Sequence, residues 1–99
     1  MNKFRFIAIL IFTFCLSLIA YANPQQYNKL ITIADGAMRK GDYQVAVINY
    51  EKALKLYPNE PTIHNNLGVA YSQINDLKNA EMHYKKAIQL APSNSITYP

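Results

Sequence analysis

The amino-acid sequence predicts an all-α fold made of two tandem helix-turn-helix units, and three observations carry that prediction. The chain repeats itself with a period of 34 residues. Within each period apolar residues recur at three-and-four spacing, the mark of a helix with one buried face. Glycine, asparagine, aspartate and proline fall at the joints between those stretches, where a helix has to stop or start.

The period emerges when residues 27–60 (YNKLITIADGAMRKGDYQVAVINYEKALKLYPNE) are laid on residues 61–94 (PTIHNNLGVAYSQINDLKNAEMHYKKAIQLAPSN) without a gap. Asp42 then meets Asp76, Ala46 meets Ala80, Tyr50 meets Tyr84, Lys52 meets Lys86, Ala53 meets Ala87, Leu56 meets Leu90 and Pro58 meets Pro92. Ile33 with Leu67, Ala34 with Gly68 and Leu54 with Ile88 agree in kind. Nearly all the matched residues are apolar, small or turn-forming, so the repeat is one of packing.

The elements follow in order. Leu30, Ile33, Ala34, Ala37 and Met38 share one face of a helix over 27–40. In Lys40-Gly41-Asp42 the glycine takes the left-handed conformation that ends a helix, and the aspartate accepts free amide hydrogens that begin the next. Tyr43, Ala46, Val47, Tyr50, Ala53, Leu54 and Tyr57 give a second helix over 43–56, stopped by Pro58. Pro61 suits the first turn of a third helix over 61–74. Asn75-Asp76 repeats the Gly41-Asp42 joint, asparagine tolerating positive φ, and a fourth helix over 77–90 stops before Pro92. Ala46, Ala53, Ala80 and Ala87 are expected to be buried where helices cross closely. A larger side chain there would force the helices apart at about 1–3 kcal/mol. Tyr50, Tyr71 and Tyr84 are expected to fill the gaps beside them.

Leu67-Gly68, Tyr71, Asn75-Asp76, Ala80, Tyr84, Ala87 and Pro92 closely resemble the tetratricopeptide repeat. The first unit resembles it through Ala34, Gly41-Asp42-Tyr43, Ala46, Tyr50, Ala53 and Pro58, departing at Ala37 where a large aromatic is usual. The second departs at His64, where tryptophan, leucine or tyrosine is common. The resemblance spans almost all of 27–94 and implies a short right-handed α-solenoid. Its first helices would line a concave groove for an extended peptide or a partner helix. Carried over by position, the groove-facing residues would be Asn28, Ile31, Asp35, Met38 and Arg39, then Thr62, Asn65, Asn66, Val69, Ser72 and Gln73. Asn65 and Asn66 could bond a peptide backbone through their amides, and Arg39 could hold a carboxylate. Ile31 and Asp35 stand where some members grip a C-terminal carboxylate with lysine and asparagine, so that mode is not expected.

Ahead of the repeats, residues 1–22 have basic Lys3 and Arg5, an apolar run from Phe6 to Ile19, then Ala20-Tyr21-Ala22. This is the layout of a secretory signal peptide, with cleavage expected between Ala22 and Asn23 and a periplasmic or secreted product. The competing reading is an uncleaved membrane anchor, at the short edge of the roughly 20 apolar residues a spanning helix needs. Residues 23–26 form a short linker. The single cysteine, Cys15, lies within the leader, so no disulfide can brace the mature chain. Without Lys3 and Arg5, eight of the ten basic residues remain against six acidic ones. That slight excess, without a basic cluster, argues against nucleic acid as partner. Membrane contact is expected only through an uncleaved leader.

After Asn94 a third unit begins, Tyr98 lying one period beyond His64. About three stacked units are usually needed for stability, so two leave an apolar end. Self-association or partner stacking through 77–90 is expected, and a truncated relative of a longer repeat protein remains an alternative.

The residues argue against catalysis. His64 and His83 fall on different helices and no cysteine joins them, whereas zinc wants three or four ligands. His64 reads as a packing substitute at an aromatic site and His83 as solvent-facing. Asp42 and Asp76 read as helix caps, Glu51 and Glu81 as surface charges. Gly36, Gly41 and Gly68 form no phosphate-binding loop, Gly68 serving close helix contact. No cofactor or metal is expected, and the chain is expected to bind a protein or peptide.

Overall fold

The computed structural model describes residues 24–92 of the chain. The leader at 1–22, its cleavage point and the start of a third unit at 95–99 lie outside the described residues. Within them are four helices and no strand: α1 over residues 24–40, α2 Tyr43–Leu56, α3 Pro61–Gln73 and α4 Leu77–Leu90. The all-α repeat architecture is thus as the periodicity predicts, with α2 and α4 at the expected bounds. The first helix is already formed at residue 24, and α3 ends one residue early.

The joints obey the backbone chemistry expected of them. Gly41 and Asn75 both take positive φ, 80° and 63°. Each lets the chain turn back: the Asp42 amide donates to the Ala37 carbonyl at 2.8 Å, and the Asp76 amide donates to the Tyr71 carbonyl at 2.9 Å. Pro61 opens α3, where a missing N–H is harmless. Asp76 caps α4 by accepting from the Asn79 amide. Asp42 corrects the expectation: it stands at the equivalent position but its side chain makes no cap bond. At the base of the first hairpin the rings of Tyr27 and Tyr57 meet edge to face, centroids 4.8 Å apart.

The main core lies among three helices rather than two. Ala34 and Ala37 of α1, Ala46, Val47, Tyr50 and Leu54 of α2, and Ile63, Leu67 and Ala70 of α3 form one buried cluster. Helix α3 packs on α2 and on α4, so the second hairpin is seated on the first. Ala46, Ala53, Ala80 and Ala87 are all buried, as close crossing requires. Gly68 has the same role in extreme form: a Cβ there would stand 2.6 Å from the Tyr84 ring. Ile33 departs from its expected inward position and is exposed, whereas Leu67, one period later, is fully buried. Leu67 has α2 beside it, while among the described residues no helix precedes α1 to cover Ile33.

Candidate partner-binding surface

The groove positions lie on α1 and α3, and the core tyrosine of α2 ties these helices together. The Tyr50 hydroxyl donates to Oδ1 of Asp35 on α1, and Nδ2 of Asn66 on α3 donates to the same hydroxyl at 3.3 Å. Burial is the main force pushing the Tyr50 phenol well above its ordinary pKa, with the Asp35 carboxylate acting in the same direction. The hydroxyl therefore remains protonated across any working pH and keeps donating to Asp35.

This link divides the expected groove residues. Asp35 and Asn66 are half-buried and engaged with Tyr50, and Ile31 and Met38 pack partly against the core. Val69 is half-buried, its carbonyl accepting from the Ser72 hydroxyl at 2.8 Å. Asn28, Arg39, Thr62, Asn65 and Gln73 are exposed. The residues thus fall into a tethered inner set and an outer set whose side-chain polar groups are open to solvent.

A second cluster, missed from sequence, lies between α3 and α4 of the second hairpin, with Glu51 of α2 at its edge. His83 is buried, 5% exposed, which corrects its reading as solvent-facing. Its ring lies parallel to Tyr71, centroids 5.5 Å apart, and its Nδ1 is 2.9 Å from Nδ1 of His64. His64 is also buried and fills its aromatic position as expected, with Nε2 additionally 2.9 Å from the Pro58 carbonyl oxygen. Glu51, expected to be a plain surface charge, accepts from the Tyr71 hydroxyl at 3.2 Å and lies 3.5 Å from His83 Nε2. Burial first, then Glu51, pushes the Tyr71 phenol up to about 12. Glu81 is the surface charge it was expected to be, paired with Lys85. Among the described residues no group of three or more histidine, cysteine, aspartate or glutamate side chains is placed to hold a metal ion.

Two family models match this architecture, one described as TPR repeat over residues 37–75 and one as Tetratricopeptide repeat over residues 61–94. The chain is a tetratricopeptide-repeat protein. The first match bridges the two hairpins, from the end of α1 to the turn after α3, and so follows the three-helix core. Tetratricopeptide repeats generally mediate protein–protein interaction and are typically non-catalytic. Among the described residues, no helix is long and apolar enough to cross a membrane.

Proposed function

We propose that this tetratricopeptide-repeat protein is an exported interaction module that binds a peptide or partner protein across α1 and α3 in the assembly of a larger complex. The observation that supports this most directly is the Tyr50 link. By tying Asp35 and Asn66 to the core it holds two helix faces in fixed relation, and a surface ordered before binding loses less entropy on binding. Exposed Arg39 and Asn65 then supply a charged fork and an amide for a partner's carboxylates and backbone. The leader at 1–22 supports export. The module performs no catalysis of its own in this reading.

Site-specific photocrosslinking in the native host tests the surface. A crosslinker at Asn65 or Gln73 is expected to trap one discrete partner, and a crosslinker at exposed Gln44 on α2 is expected to trap none. Equal trapping from all three positions would reject binding across α1 and α3. N-terminal sequencing of the protein from the same cells is expected to begin at Asn23; a chain that still begins at Met1 would replace export and release with membrane anchoring.

Self-association is a second reading, favoured by the outer side of α4. Leu77 and Ile88 are 63% and 59% exposed there, with Tyr84 between them half-buried. Large apolar side chains in one stripe are suited to a further helix.

A further inference from the structure

The joint between α3 and α4, within the second hairpin, holds a proton balance that neither helix packing nor the groove requires. A carbonyl oxygen only accepts, so the 2.9 Å contact with Pro58 places a hydrogen on Nε2 of His64. Neutral His64 therefore presents a lone pair at Nδ1. The 2.9 Å contact between the two Nδ1 atoms then takes its hydrogen from His83. Neutral His83 is left with a bare Nε2, buried, without a hydrogen-bond partner among the described residues, and facing the Glu51 carboxylate. The pair thus carries two ring hydrogens at stated atoms. A third fits at Nε2 of His83, opposite Glu51. A fourth would put hydrogens on both Nδ1 atoms across 2.9 Å and breaks the contact. The unfolded chain in acid carries all four, so the folded joint holds at least one proton fewer.

We propose that the His64–His83 pair is an acid-sensitive latch, which seats α4 on α3 at neutral pH and loosens as pH falls through the ordinary histidine range. Four elements face it. Glu51 comes from α2, the Pro58 carbonyl from the α2–α3 turn, and Tyr71 from α3 beside His64. On α4, Lys85 and Lys86 line a concavity with both histidines. Only Glu51 among these favours an added proton on His83; burial opposes it most and His64 also opposes it, which together hold the His83 pKa below its ordinary value. A histidine held low in the fold contributes its full stability above its unfolded pKa and loses it progressively as pH drops from that value through its lower folded one. His64 directly precedes the candidate contacts Asn65 and Asn66 on α3, with its own side chain turned inward and that of Asn65 outward.

Urea unfolding of the full chain between about pH 7.5 and about pH 5, at constant ionic strength, tests this together with ring-nitrogen NMR. The folding equilibrium constant is expected to fall about tenfold per pH unit below about pH 6, the slope of one missing proton. At neutral pH the spectra are expected to show His64 with its hydrogen on Nε2 and His83 with its hydrogen on Nδ1. The double variant His64→Phe with His83→Gln is expected to lose that slope. A slope that survives in the double variant, or a folded wild type whose two rings both become fully protonated at about pH 5, would overturn the latch. If the double variant does not fold, the wild-type tautomers and proton count decide by themselves.

Discussion

Gly68 is where one methyl group has the largest foreseeable effect. The ring of Tyr84 lies where a Cβ would be, and the clashing atoms are at the base and side of the ring rather than a flexible tip. Gly68→Ala is expected to destabilise by about 1–3 kcal/mol despite alanine's better helix propensity, read as a lower urea midpoint. Tyr50→Phe keeps the ring but removes the hydroxyl between Asp35 and Asn66. A loss of about 1–2 kcal/mol is expected in the same assay. At this scale the alanines were legible, since Ala46, Ala53, Ala80 and Ala87 recur in register and a close crossing leaves room for little else. His83 was misread although its position was informative: it shares the three-and-four stripe of Ala80 and Ala87, so spacing placed it inward, whereas its place next to Tyr84 suggested solvent. Its partner was also within reach, because His64 and His83 lie on the inward faces of two helices joined by a short turn, and an antiparallel hairpin packs such faces together.

Helices α2 and α4 share a template and differ at their starts. Asp76 accepts from the Asn79 amide at 3.3 Å and from the Asn79 side chain at 2.8 Å. Asp42 has Val45 at the position of Asn79, which offers no side-chain donor to orient the carboxylate, and it makes no cap bond. Asp76→Ala is therefore expected to lower stability by about 1 kcal/mol, and Asp42→Ala by less than about 0.5 kcal/mol, compared through their urea midpoints. The two cap positions looked alike in sequence because the repeat fixes residue type at the joint, whereas the bond depends on a residue three positions on that does not repeat. Helix bounds were more legible than caps, since a proline or a positive-φ residue ends a helix by covalent geometry alone.

Across the molecule the two repeats are unequal in what covers them. Leu54 of α2 is 9% exposed beneath the second hairpin, whereas Ile88, its counterpart one period later, lies open. Leu54→Ala is expected to cost about 2–5 kcal/mol and Ile88→Ala within about 0.5 kcal/mol in the isolated chain. If copies pair through α4, Ile88→Lys is expected to reduce the mass seen by light scattering and leave helicity unchanged. The partner surface was less legible than the scaffold, because groove positions carry over by register while the Tyr50 tether and the solvent exposure of Arg39 or Asn65 depend on three helices meeting. The central place of α3 also sets an order of opening. Terminal helices of a short stack can detach singly, but α3 has α2 on one side and α4 on the other. Its amide hydrogens between Leu67 and Tyr71 are therefore expected to exchange with solvent only on global unfolding, making this middle turn the slowest clock among the described residues.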